Sequence, residues 1–223
     1  MKKKNNRNEL YAVIGLGRFG FSLAEELAAK GRDVLVIDKD RSRIDLASAF
    51  TDNAFVTDAL VEENLEETGV AEADVAVICI GEKLDVSILI TMKLMKLGVK
   101  RVIAKAMSTE HGQILELMGA EVVYPEHDMA IRLAGKLASP HILEYISLSD
   151  SVDLMEIQLT KKADGKTVIE LNVRKNFGLN IIAIRRGGEM TTAIKPDTAL
   201  SASDTITVIG RTEDIRRFEE YLQ

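Results

Sequence analysis

Tyr11-Ala-Val-Ile-Gly-Leu-Gly-Arg-Phe-Gly20 decides the reading of this chain. An apolar run, Ala12 to Leu16, has the composition of a buried strand. It breaks at glycines spaced G-x-G-x-x-G, at Gly15, Gly17 and Gly20. From Phe21 to Lys30, Leu23 and Leu27, with Ala24 and Ala28, recur at helical spacing. Each glycine has a task in such a strand–turn–helix unit. Gly15 allows a sharp turn off the strand, Gly17 lets the backbone approach a pyrophosphate, and Gly20 lets the helix pack close to the sheet. The helix then aims free N–H groups and the positive end of its dipole at the phosphates.

Glycine-rich turns are common, so the context decides. A second apolar strand, Val34-Leu-Val-Ile37, ends in Asp38, eighteen positions after Gly20, with Lys39 next to it. An acid there accepts hydrogen bonds from ribose hydroxyls. The same Asp38 is also placed to cap a helix expected over Arg41–Phe50. As a ribose ligand it argues against NADP, whose 2′-phosphate it would repel. It does not separate NAD from ATP or ADP, which share the ribose diol.

Strand and helix signals alternate through the first two thirds of the chain. Strands are expected at Ala54–Thr57, Val75–Ile80, Arg101–Lys105 and Glu121–Tyr124. Helices are expected at Glu62–Gly69, Leu84–Leu97 and Thr109–Met118. Strands separated by single helices imply a parallel sheet, and six of them make a complete Rossmann-type, doubly wound α/β fold. Pro125-Glu-His-Asp128 breaks the alternation. Met129 to Ala138 is a further helix whose apolar residues need a partner, which predicts a dimerisation or swapping arm. His141–Ser147 is expected to add a short helical turn, and Ser147–Ser151 a polar joint. Beyond it lie a mixed strand at Val152–Leu159, a helix at Thr167–Asn172, and a hairpin turning at Gly187-Gly188 between Asn180–Arg185 and Glu189–Ile194. A strand at Thr205–Ile209 and a terminal helix from Thr212, its cap, complete a small α+β domain. The expected organisation is a nucleotide domain with its crossover helix at 8–139, a linker at 140–151 and a C-terminal domain at 152–223.

Composition narrows the function classes. The 223 residues are 46% hydrophobic but only 4% aromatic, which suits the aliphatic interior of a parallel sheet. The net charge of −6 argues against general nucleic-acid binding. The one basic run, Met1-Lys-Lys-Lys-Asn-Asn-Arg7, reads as a solvated start and lacks the apolar core of a signal peptide. No apolar run approaches the ~20 residues that cross a bilayer, so a soluble protein is expected. The single cysteine, Cys79, reads as a small buried hydrophobe and fits a reducing cytoplasm. A dehydrogenase needs a proton donor or acceptor beside its nicotinamide, and the usual candidates are missing. No tyrosine has a lysine four residues on, and His111, His127 and His141 lack metal-ligand spacing. His127 is the least poor catalytic candidate. No GxxxxGK[ST] occurs. A nucleotide site without adjoining chemistry suggests a sensor, in which binding energy biases a conformational equilibrium. The alternative is a small NAD-dependent oxidoreductase.

At this point the residues resemble a known family. Gly15-Leu-Gly-Arg-Phe-Gly20, Asp38, Gly81 after the fourth strand, Lys105 closing the fifth, and Pro125-Glu126-His-Asp-Met129 look like the RCK family, the regulators of potassium conductance. The similarity is strongest to its KtrA/TrkA-type regulatory subunits of bacterial potassium uptake systems. It implies a Rossmann domain, a crossover helix and an RCK-C domain. It further implies homodimers assembled into a cytoplasmic octameric ring docked beneath a membrane potassium-translocating subunit of the KtrB/TrkH type. ATP, ADP or NAD(H) would set the ring's shape. The resemblance assigns Arg18, within the loop that includes Phe19, to nucleotide phosphate across the dimer interface. It assigns Glu126 to a Mg2+ or similar cation beside the phosphates, although Glu126 after Pro125 also reads as an ordinary helix-start glutamate. Asp58 and Ala59 follow the third strand, where adenine packs. Lys105 is placed to reach phosphate or to cap a carbonyl.

The C-terminal domain of Ktr-type relatives binds cyclic di-AMP, and the resemblance extends to that pattern. Val168-Ile169-Glu-Leu-Asn172-Val-Arg174, then Asn180-Ile181-Ile182 and Pro196, match it with one departure, Val168 for a larger aliphatic. Arg174 becomes the phosphate candidate, and Asn172 and Asn180 polar partners. The plainer reading makes the aliphatic residues core and Arg174 a surface charge.

Overall fold

The computed structural model describes residues 8–81, 83–138, 141–149 and 151–223, without the Glu62 side chain. The basic run at 1–7 and parts of the expected linker, 140 and 150, lie outside the described residues. The chain divides into two compact units between Glu126 and His127.

Six strands build the first unit: β1 (Leu10–Ile14), β2 (Asp33–Asp38), β3 (Asn53–Val56), β4 (Val75–Ile78), β5 (Arg101–Lys105) and β6 (Glu121–Val123). All pair in parallel, in the order β3-β2-β1-β4-β5-β6. The helices between them are α1 (Arg18–Ala29), α2 (Arg41–Ala47), α3 (Glu62–Glu67), α4 (Leu84–Lys96) and α5 (Thr109–Leu117). The sheet is buried on both faces because its strands are aliphatic at successive positions. Ala12, Ile14, Ile37 and Ile78 join one core with Ile90 and Leu94 of α4 and Leu115 of α5. Val13, Val36 and Val77 join the other with Ala24 of α1 and Ile44 of α2. Truncating a fully buried residue such as Ile78 to alanine would cost about 2–5 kcal/mol. Strand order reverses between β1 and β4, which opens a crevice outside the carboxyl ends of the strands.

The second unit takes most of α6 (Pro125–Ala138), then β7 (Ile142–Ser149), β8 (Val152–Gln158), α7 (Val168–Leu171), α8 (Val173–Phe177), β9 (Asn180–Arg186), β10 (Glu189–Thr191), β11 (Thr205–Arg211) and α9 (Thr212–Leu222). Its sheet is antiparallel, in the order β10-β9-β11-β8-β7. The terminal helix α9 buries Ile215, Phe218 and Leu222, spaced at helical intervals, and Phe177 meets Phe218 edge-on at 5.1 Å.

Three expectations need correction here. The helical turn at His141–Ser147 and the polar joint after it are strand β7, which pairs with β8 from Ile142 to Ser149. The polar Ser147-Leu-Ser149 stretch conceals this because β7 is an edge strand, whose outward side chains are solvated. Thr212 does not cap α9. Arg211 holds the cap position, and the Thr212 hydroxyl donates to buried Asp153 at 2.6 Å, where Tyr145 Oη also donates at 3.2 Å. The return strand β10 stops at Thr191, short of Ile194. The capping box at Thr167 and Glu170 explains where α7 begins. Asn172 then takes a left-handed conformation (φ 45°) and starts a second short helix, α8, that no periodicity signals.

Candidate nucleotide-binding site

Because the first sheet is parallel, the residues that end its strands share one edge. Gly15, Gly17, Arg18, Phe19 and Gly20 follow β1, Asp38 ends β2 and Lys39 follows it. Asp58 and Ala59 follow β3, Gly81 follows β4, Lys105 ends β5, and Glu126 follows β6 in the first turn of α6. The glycines differ in what they permit. Gly15 turns with φ +94°, in the left-handed region. A Cβ on Gly20 would stand 2.0 Å from the Gly15 carbonyl oxygen and 2.9 Å from Cys79 Cβ, so only glycine lets α1 settle on the sheet. A Cβ on Gly17 would meet nothing within 4 Å. Gly17 is the N-cap of α1 and offers no side-chain cap, so the first-turn N–H groups of α1 donate no hydrogen bond to a side chain at that residue. That is the arrangement a phosphate fits.

Asp38 is buried, at 6% exposure, and holds the glycine loop against β2. Its Oδ2 accepts the Leu16 N–H at 2.5 Å and lies 3.3 Å from Arg43 Nη1; its Oδ1 accepts the Asp40 N–H at 2.9 Å. The helix-cap alternative for Asp38 falls, since Asp40 caps α2 through the Ser42 N–H. Arg43 is a residue that sequence reasoning missed. It reaches both Asp38 and Asp40 from the first turn of α2, and no motif spacing marks it. Asp58 is exposed and turns its Oδ1 to the Leu60 N–H, while Ala59 is buried.

Lys105 is buried at 8% exposure and pairs with Glu126, rather than capping a carbonyl. Its ammonium lies 5.9 Å from the Phe19 ring centre. This hydrogen bond, with help from the charge of exposed Arg18, holds the Glu126 carboxyl below the usual carboxylate range. Toward a cation of the Mg2+ type Glu126 offers a single carboxylate, which is bonded to Lys105. Such ions take one or two carboxylates and complete their shell with phosphate and water. Among the described residues no three His, Cys, Asp or Glu side chains gather to hold a metal on their own.

His111 is a second missed residue. It is buried in the first turn of α5, its Nδ1 accepts the Met107 N–H at 3.3 Å, and its Nε2 has no partner among the described residues. Burial pushes its pKa down. The signal available was the helix register set by the Ser108 cap, which turns His111, Gly112 and Leu115 inward together. His127 is exposed beside Asp128. Cys79 is buried, and burial pushes its thiol up to about 12.

In the second unit, the backbone N–H groups of Val168 and Ile169 donate to the carbonyls of Thr198 and Pro196 at 3.0 and 2.9 Å. This ties α7 to the Pro196 loop. Val168 and Ile181 pack on the core, whereas Ile169 stands 63% exposed. Asn172 links α7 to α8, and Arg174 and Asn180 are exposed on α8 and at the start of β9. Ile169 is thus bonded directly to Pro196, and Val168 to Thr198 in the same loop; among the described residues no side-chain hydrogen bond joins Arg174 or Asn180 to that group.

The chain matches two family models, the TrkA-N domain over residues 11–125 and the TrkA-C domain over residues 154–223. It is 33% identical to the Ktr system potassium uptake protein A of Bacillus subtilis over 96% of both chains. The chain belongs to the TrkA-N/TrkA-C family of Ktr and Trk potassium uptake proteins. Another member, the Ktr system potassium uptake protein C of the same organism, is 36% identical over 94% of this chain and 96% of its own. The GsuK channel bound to NAD shares the fold with a TM-score of 0.62 at 20% identity, covering 98% of this chain and 40% of its own. The same channel bound to ADP matches 59% of this chain and 33% of its own, at 26% identity and a TM-score of 0.50. Among the described residues no helix is long and apolar enough to cross a membrane.

Proposed function

We propose that this chain is the non-enzymatic, nucleotide-gated regulatory subunit of a bacterial potassium uptake system. An adenine nucleotide, ATP, ADP or NAD(H), binds the crevice of the first unit. Its ribose hydroxyls meet Asp38, its phosphates lie over Gly17 at the start of α1 with Arg18 and Lys105 nearby, and its adenine packs by Asp58 and Ala59. A Mg2+-type cation bridges the phosphates to Glu126. Cyclic di-AMP binds the second unit at Val168, Ile169, Asn172, Arg174, Asn180, Ile181 and Pro196. The chain pairs through α6, whose Met129, Leu133 and Leu137 are exposed at four-residue spacing, and the dimers assemble into an octameric ring. The ring sits on the cytoplasmic side of a KtrB/TrkH-type membrane subunit and gates it.

One observation carries this reading. The open backbone position at Gly17, buried Asp38 and buried Lys105 share a single sheet edge in a chain that aligns with a Ktr protein over 96% of its length. The test is a thermal-shift panel on the full-length protein with ATP, ADP, NAD, NADH and cyclic di-AMP, followed by potassium flux with the membrane subunit in vesicles. Shifts with adenine nucleotides and with cyclic di-AMP, and nucleotide-dependent flux, are expected. Hydride turnover of NADH with any small acceptor would overturn the regulatory reading in favour of a small NAD-dependent oxidoreductase.

A further inference from the structure

Asp38 does not meet a ribose as a bare carboxylate. Its Oδ2 accepts the Leu16 N–H at 2.5 Å and lies 3.3 Å from Arg43 Nη1, and its Oδ1 accepts the Asp40 N–H at 2.9 Å. An ionised carboxylate offers about four acceptor positions. Among the described residues three partners already claim it, which leaves room for one of the two adjacent hydroxyls of a ribose. The three partners are unequal. Leu16 and Asp40 donate from the backbone segments that follow β1 and β2. Arg43 reaches in from α2 on a side chain that is 48% exposed, whereas the Asp38 side chain is 5% exposed. Its Nε also lies 3.5 Å from Asp40 Oδ2, so the guanidinium spans two acids and is fully committed to neither.

A ribose entering this edge meets a carboxylate and a guanidinium side by side. One hydroxyl can donate to the open position on Asp38. The adjacent oxygen can accept from the guanidinium, which carries five N–H donors. The local charge points the same way. Asp38-Lys-Asp-Arg-Ser-Arg43 holds two acids and three bases, so the ribose edge is not acidic as a whole. The repulsion of a 2′-phosphate expected from Asp38 belongs to a carboxylate without a cation beside it. A planar guanidinium binds phosphate through two parallel N–H bonds, and the exposed stem of Arg43 leaves it free to turn from Asp38 to such a group. We propose that Arg43 reads the ribose 2′-oxygen, and that it admits adenine nucleotides bearing a 2′-phosphate alongside those with a free ribose diol. The inference rests on the nucleotide reading above and adds a subsite to it.

The experiment is calorimetric titration of the full-length protein with NAD and with NADP, which differ only in the 2′-phosphate, for the wild type, Arg43→Ala and Arg43→Lys. Wild-type affinities for the two should agree within about tenfold. Arg43→Ala removes a charge-assisted, two-bond contact, so NADP affinity should fall about tenfold or more. NAD affinity should change about threefold or less, because the departing guanidinium frees an acceptor position on Asp38 for the second hydroxyl. Arg43→Lys keeps the charge without the fork and should lose less NADP affinity than the alanine variant. An arginine that merely steadied Asp38 would weaken both ligands in parallel and leave their ratio unchanged, which overturns the proposal. A wild type that binds NAD and ADP but not NADP overturns the subsite alone. A wild type that binds none of the three overturns the nucleotide reading and the subsite with it. Melting curves verify that the variants fold. If the alanine variant does not, an unchanged NADP-to-NAD ratio in Arg43→Lys overturns the proposal, and a ratio about threefold lower supports it.

Discussion

Alanine at Gly20 and alanine at Gly17 should fail in opposite ways, although the two glycines lie three residues apart in one motif. At Gly20 the added Cβ would stand 2.0 Å from the Gly15 carbonyl oxygen. Such atoms prefer separations of about 3.5 Å, so the carbonyl or the helix would have to retreat by about 1.5 Å. The Gly15 N–H is bonded to the Ile37 carbonyl at 2.8 Å, and Cys79 blocks the other direction at 2.9 Å, so neither can yield freely. Overpacking of this kind costs about 1–3 kcal/mol. For a cooperative unit of this size that lowers the melting temperature by roughly 3–10 °C. At Gly17 the added Cβ meets nothing, the backbone angle of −66° suits any residue, and the cost is limited to a poorer N-cap, within about 1 kcal/mol. What Gly17→Ala should lose is the ligand. Wild type at 100 times the dissociation constant of ADP gains ~2.7 kcal/mol, and this gain should vanish in the variant. The assay is thermal unfolding of both variants with and without saturating ADP. A Gly17→Ala protein that keeps the full ligand shift would refute the placement of phosphate over that loop. A Gly20→Ala protein as stable as wild type would refute the packing argument.

Asp38→Ala strips the buried Leu16 N–H of its acceptor and frees Arg43, so it should cost about 1–3 kcal/mol of stability and remove binding of every adenine mononucleotide and dinucleotide by calorimetry. Cyclic di-AMP binding should survive that change, whereas Arg174→Ala should lose cyclic di-AMP and keep the ADP-induced melting shift. In the second unit Arg186 grips the buried carboxylate of Asp204 with two nitrogens, at 2.8 and 2.6 Å, and holds its pKa down. A depressed carboxylate stabilises the fold fully above its ordinary value near 4 and loses that contribution as pH falls through the depressed one. Arg186→Ala should therefore cost about 1–3 kcal/mol at pH 7 after allowance for the half-exposed arginine, and progressively less in melts below pH 4.

The first unit was legible because its signals are local and consistent. Aliphatic strands, single helices and glycine stops each follow from nearest-neighbour chemistry, and the parallel order then follows from chain connectivity. The second unit was read less well where its structure depends on distant partners. Strand β7 exists because β8 pairs with it, and residues such as Ser147 and Ser149 look like a linker until that pairing is known. Thr212 reads as a cap, and Asp153, fifty-nine residues earlier, claims its hydroxyl instead. In the crevice, the motif residues were visible in the sequence, but the partners that hold them were not. Arg43 on Asp38, Glu126 on Lys105 and the inward-turned His111 depend on helix register and side-chain reach.

Cys79, the residue that follows β4, lies directly beneath Gly20, and it is the only thiol in the chain. With its pKa near 12, only about one molecule in ten thousand carries the reactive thiolate at pH 8, even if reagent could reach it. Slow labelling by thiol reagents is therefore expected in the native protein, speeding up when the glycine loop lifts from the sheet and uncovers the thiol. The rate of labelling becomes a clock for that opening. No engineered probe is needed to time how long the loop stays closed, with or without a ligand seated on it.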